Sequence, residues 1–123
     1  MKIIIDAMGG DLAPQAPVRG GLQAAKEFGV EVLFTGNEAA IRHVMKQDGY
    51  DELPAGVEIV NCTEVVDNCD DPSIVWRKKP DSSMTVGLKL LKASRGNAFI
   101  SAGSTGALLS GATLLVRRIL GDR

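Results

Sequence analysis

The chain has 123 residues, 45% of them hydrophobic and 24% charged, with a formal net charge of −1 at pH 7, enough for one modest domain around an apolar core. Near-neutral charge and 4% aromatic content argue against a nucleic-acid partner, which would call for a positive field or stacking platforms. No apolar run approaches the ~20 residues that span a bilayer, and Met1-Lys2-Ile3-Ile4-Ile5-Asp6 is too short and too soon acidic for a secretory signal. Cys62 and Cys69 form neither a disulfide framework nor a zinc site and read as reduced thiols of a cytosolic protein.

Short β-branched runs alternate with helical patterns, which predicts an α/β domain with a mainly parallel sheet. Lys2–Asp6 is expected as a strand leading into the turn Met8-Gly9-Gly10-Asp11. A helix follows from about Pro17 to Phe28, with Gly29 as its stop. Val30–Thr35 is the second strand, after which Asn37 caps a helix with Ile41, Val44 and Met45 on one face and Gly49 closing it. Val57–Asn61 is the third strand. From Thr63 to Pro80 no clean period emerges, and the stretch reads as loop with a short helix around Ser73–Arg77. Ser82 or Ser83 caps the next helix, whose Met84, Leu88 and Leu91 share a face before Gly96. Ala98–Ser101 is a fourth strand, and an apolar helix is expected from about Thr105 to Leu120.

Three segments carry candidate chemistry. In Ser101-Ala102-Gly103-Ser104-Thr105-Gly106, a strand end, a small-residue turn and a helix start converge, so backbone N–H groups and the helix dipole can face one anion. Gly103 and Gly106 permit close approach, and Ser101, Ser104 and Thr105 add hydroxyl donors; tight strand–helix packing alone would use the same small residues. No Lys follows Gly106 and no G-x-G-x-x-G occurs, so a nucleotide is not implied, and a phosphate or phosphoester stays open. The second segment is Asp6-Ala7-Met8-Gly9-Gly10-Asp11. It is expected on the same carboxyl-end rim of the sheet, with Gly9 and Gly10 as backbone donors and Asp6 or Asp11 orienting them. Asp11 serves equally as a helix cap.

In the third segment, Arg77, Lys78 and Lys79 concentrate positive charge that can meet a phosphate or an acidic carrier protein, or simply form a solvated face. Ser82 and Ser83 are helix caps first and ligand hydroxyls second. His43 has no partner spacing for a triad and reads as a surface histidine.

Taken together, Asp6-Ala7-Met8-Gly9-Gly10-Asp11 with Ala13-Pro14, Glu64-Val65-Val66, Asp71-Pro72, Arg77-Lys78-Lys79, Asp81-Ser82-Ser83-Met84 and Ser101-Ala102-Gly103-Ser104-Thr105-Gly106-Ala107-Leu108 resemble, in order and spacing, the PlsX family of bacterial phosphate acyltransferases. Ser104 stands where that family commonly has Asn. The resemblance implies transfer of a fatty acyl group from acyl carrier protein to inorganic phosphate, giving acyl phosphate for phospholipid synthesis. It implies a three-layer α/β/α fold like that of isocitrate and isopropylmalate dehydrogenases, a homodimer, no cofactor and no metal. A cytoplasmic location with peripheral membrane association is implied as well. Anion-binding roles fall on Asp6, Gly9, Gly10, Asp11, Arg77, Lys79, Ser82, Ser83, Ser101, Gly103, Ser104, Thr105 and Gly106, with no catalytic residue assigned.

Family members are longer, so residues 1–123 are expected to form the N-terminal portion of a single domain. The remainder would carry the rest of the sheet, membrane-contacting helices and key catalytic residues. Two other readings stand beside this one: a phosphotransacetylase-like enzyme using acyl-CoA, and a non-catalytic module that binds phosphate or carrier protein.

Overall fold

Among the described residues, four strands, Lys2–Asp6 (β1), Glu31–Gly36 (β2), Val57–Asn61 (β3) and Ala98–Ile100 (β4), accompany the helices Gln15–Phe28 (α1), Glu38–Gln47 (α2) and Ser83–Lys92 (α3). They belong to a computed structural model that describes residues 1–10, 12–65 and 78–101. The strands form one sheet in the order β3-β2-β1-β4, and every pairing is parallel. Ile4 of β1 sits opposite Leu33 of β2 and Phe99 of β4. Asn97 sets the last register: its backbone N–H donates to the Lys2 carbonyl at 2.7 Å, and its side-chain oxygen accepts from the Lys2 N–H at 2.8 Å.

The period of two along each strand divides the core between two faces. Ile5, Ala7, Val32 and Phe34 pack with Val18 and Leu22 of α1 and with Ile41, Val44 and Met45 of α2. Ile4 and Leu33 are equally buried but stand outside that cluster; α3, with Met84 and Leu88 buried, packs against β1, β2 and β4. Crossovers in one sheet keep a right hand. The steps β1→β2→β3 therefore place α1 and α2 on one face, while the return to β4 carries α3 over the other. Three layers result, the α/β/α arrangement that the family resemblance implied.

Local chemistry sets the helix ends. The Asn37 side chain accepts from the Ala40 N–H at 3.1 Å, and the Ser82 hydroxyl accepts from the Thr85 N–H at 3.0 Å, so Ser82 rather than Ser83 is the cap of α3. Gly29 closes α1 in the left-handed conformation at φ 66°, its N–H bonded to the Ala25 carbonyl. α1 begins at Gln15, two residues before the expected start. Pro17 lies within its first turn, where N–H groups have no intrahelical partner and a proline removes nothing. The short helix expected at Ser73–Arg77 and the apolar helix at Thr105–Leu120 lie outside the described residues.

Candidate functional site

A doubly wound parallel sheet gathers ligands where strand order reverses, outside the carboxyl ends of its strands. Here that reversal falls between β1 and β4, and the side chain at the crevice is Asp6. It ends β1 and is 3% exposed. Its Oδ1 accepts from the Met8 N–H at 3.0 Å and its Oδ2 from the Ser101 hydroxyl at 2.8 Å. One carboxylate thus holds the turn after β1 and the residue after β4, 95 positions apart in sequence. Charge-assisted bonds of this kind are stronger than neutral ones and suit a rim that must keep its shape.

The turn itself is held from below. The Ala7 N–H donates to the Thr35 carbonyl at 2.9 Å, and the Met8 side chain lies where a Cβ on Gly36 would stand, 2.7 Å away. Gly9 is buried and Gly10 exposed. Gly10 has φ 89°, a conformation that L side chains rarely adopt. The rim opens into a groove of about 610 Å³ lined by Gly9, Gly10, Asp6 and Ser101 at one end and by apolar side chains of α1, β1 and Ile100 along its length.

A second corner of the rim is closed by hydrogen bonds. Thr63 donates to Asp81 Oδ2 from its N–H at 2.9 Å and from its hydroxyl at 2.6 Å, and Asp81 in turn donates its N–H to Glu64 Oε1. The Thr63 donors hold the Asp81 carboxyl below the usual carboxylate value, because they favour its charged form. Lys79 Nζ donates to the Val65 carbonyl at 2.9 Å, and the Thr35 hydroxyl donates to the Ser83 carbonyl at 2.8 Å, fixing the start of α3 over the end of β2. Burial, reinforced by the charge of Asp81, pushes the nearby Cys62 thiol up to about 11. At neutral pH Cys62 is therefore a neutral thiol and a poor nucleophile.

Of the residues singled out from sequence, Asp6, Gly9, Gly10 and Ser101 come together at the β1–β4 crevice. Ser82 and Ser83 do not line it; they are 0% and 1% exposed at the start of α3, and the Ser82 hydroxyl is engaged in capping. Lys79 belongs to the Thr63–Asp81 corner. Asp11, Arg77, Gly103, Ser104, Thr105 and Gly106 lie outside the described residues, as does Cys69. Sequence reasoning missed the Thr63–Asp81 pairing, whose partners sit 18 residues apart across a stretch without period. It also missed the groove, whose signal was the run of small residues Ala16, Gly20 and Ala24 at helical spacing. No described helix is long and apolar enough to cross a membrane.

The fold and rim define a three-layer α/β protein with a crevice at its topological switch point. A family model described as "Fatty acid synthesis protein" matches residues 1–121. The chain is 46% identical over 121 residues to a phosphate acyltransferase of Alkaliphilus oremlandii, covering 98% of this chain and 36% of that protein. It is 44% identical to one of Clostridioides difficile and 40% identical to one of Dictyoglomus turgidum, covering 98% of this chain and 35% of each relative. The chain belongs to the fatty acid synthesis protein family, and it spans about a third of the length of these curated relatives.

Proposed function

We propose that this chain supplies the phosphate-handling rim of an acyltransferase that moves a fatty acyl group from acyl carrier protein to inorganic phosphate. The observation that carries the reading is the Asp6 carboxylate bonded to both Met8 N–H and Ser101 hydroxyl at the switch point, in a chain whose relatives are named phosphate acyltransferase. A phosphate oxygen attacks the thioester carbonyl, so the C–O bond to phosphate forms while the C–S bond breaks. The proton released by phosphate passes to the departing thiolate. The protein's tasks are to hold a small anion beside an acyl carbon and to stabilise the oxyanion between them. Gly9 and Gly10 offer backbone at the rim without intervening side chains, and Asp6 keeps that turn and Ser101 in place. Asp6 is a positioning residue here. The neutral Cys62 thiol fits direct attack by phosphate, without a cysteinyl intermediate.

The test is acyl phosphate formation by the purified chain with acyl–acyl carrier protein and inorganic phosphate. Inorganic phosphate binding, followed by calorimetry, that weakens at least tenfold in Asp6→Asn with the fold intact by circular dichroism is the expected result whether or not the chain turns over, since the loss of one charge-assisted hydrogen bond of about 1.5–3 kcal/mol corresponds to about 10–100-fold. Phosphate binding without turnover would assign the chain a binding role alone. Turnover with acyl-CoA and none with the carrier protein would give the site to a phosphotransacetylase-like reaction.

A further inference from the structure

We infer that Thr35 is a positioning residue for the Asp6–Ser101 contact: its carbonyl holds the β1 side of the crevice directly, and its hydroxyl holds the β4 side through α3. The consequence for phosphate rests on the reading of that rim as the phosphate seat. Thr35 is the register partner of Asp6 and is 0% exposed. Ile5 and Phe34 pack toward α1 and α2, so the period of two sends Ile4, Leu33 and Thr35 to the face under α3. That face is otherwise apolar, with Ile4, Leu33, Met84 and Leu88 all buried. Valine would offer the same shape, a high strand propensity and no polar atom to bury. The Thr35 hydroxyl instead donates to the Ser83 carbonyl at 2.8 Å. Ser83 is the first residue of α3, and its carbonyl already has the Gly87 N–H as its partner in the helical ladder. The threonine bond therefore satisfies no orphaned acceptor. What it adds is the placement of the helix.

That placement reaches β4 one turn along α3. A Cβ at Gly87 would overlap the Phe99 ring, so helix and strand approach as closely as a glycine permits, and a shift of α3 displaces Phe99. Ser101 follows two residues later, and its hydroxyl meets Asp6 Oδ2 at 2.8 Å. On the other side of the crevice, the Thr35 carbonyl accepts from the Ala7 N–H at 2.9 Å. Ala7 adjoins Asp6, whose Oδ1 accepts from the Met8 N–H. One residue of β2 thus fixes both sides of a contact that joins β1 to β4.

Two readouts on the 123-residue chain test the assignment: the backbone amide NMR resonances of Met8 and Ser101 report the contact, and calorimetry with inorganic phosphate reports the seat. Thr35→Val keeps the shape and removes the hydroxyl. It should shift both resonances and weaken phosphate binding about two- to tenfold, the range of one neutral hydrogen bond. Thr35→Ser restores the hydroxyl and should return both readouts toward the parent values. Val44→Ala removes buried volume on the opposite face of the sheet; it should lower the unfolding temperature and leave both readouts unchanged, which separates placement from stability. Unmoved resonances in Thr35→Val, phosphate affinity equal to the parent's, no rescue by serine, or an equal effect of Val44→Ala would each overturn the assignment. Shifted resonances with serine rescue, in a chain whose parent form binds no inorganic phosphate, would sink the rim reading and leave the role of Thr35 standing.

Discussion

Ser101→Ala and Asp6→Ala, made singly and together, measure the bond that joins β1 to β4 at the crevice. Asp6 is 3% exposed, so little water can replace a lost partner. A hydrogen bond to a charged acceptor contributes about 1.5–3 kcal/mol net. Asp6→Ala removes two such bonds and also relieves the desolvation of the carboxylate, so the expected loss is about 2–4 kcal/mol. The orphaned Met8 N–H is common to the Asp6 single and the double variant and cancels in the cycle. The coupling energy that remains belongs to the 2.8 Å contact and should be about 1–2 kcal/mol. Asp6→Asn keeps an acceptor for Met8 N–H and should recover about half of the loss. Urea unfolding followed by far-UV circular dichroism gives the readout, a 2 kcal/mol change moving the midpoint by about 1 M when the slope is near 2 kcal/mol/M. Coupling within the ~0.3–0.5 kcal/mol scatter of independent sites would show that the two ends are held by something other than this bond, and the role given to Asp6 would fail.

Gly21→Ala should destabilise the chain by about 1–3 kcal/mol, as overpacking against Phe34 and Ile5 outweighs the gain in helix propensity; Gly20→Ala should stabilise it by about 0.5–1 kcal/mol, and thermal unfolding of the pair checks both signs. With Cys69 replaced by serine, Cys62 should alkylate slowly in the native chain, since moving the thiol from 9.0 to about 11 lowers its thiolate population about a hundredfold; labelling as fast as in urea would contradict its burial. Thr63→Val should raise the Asp81 carboxyl back toward 3.8. Because the folded value is the lower one, this corner stabilises the fold above the unfolded carboxylate value and loses that contribution as pH falls through the folded one. Carboxyl NMR titration of the variant reads the shift directly, and an unmoved Asp81 would remove Thr63 as its cause.

Every strand expected from sequence within the described residues is present, because β-branched runs such as Ile3-Ile4-Ile5 and Val57–Asn61 leave their backbone little alternative. The cap Asn37 and the stop at Gly29 were legible for the same local reason, whereas the choice of Ser82 over Ser83 as the cap of α3 was left to the structure. The site was legible in part: Asp6, Gly9, Gly10 and Ser101 were marked by residue type and by their place at strand ends. That a carboxylate and a hydroxyl would meet at 2.8 Å was not written in either segment. Ser82 and Ser83 carried the right chemistry for an anion, but burial at the start of α3 commits the first to capping and places both away from the crevice.

Local sequence determined the elements and their ends, since propensity, capping and side-chain period act within a few residues. Tertiary structure alone decided that β4 lies beside β1 rather than beyond β3. That single placement creates the switch point, brings residue 101 to residue 6, and leaves a groove over β1 and β4. Strand order is a competition between long-range pairings whose closure entropy and burial no single segment encodes.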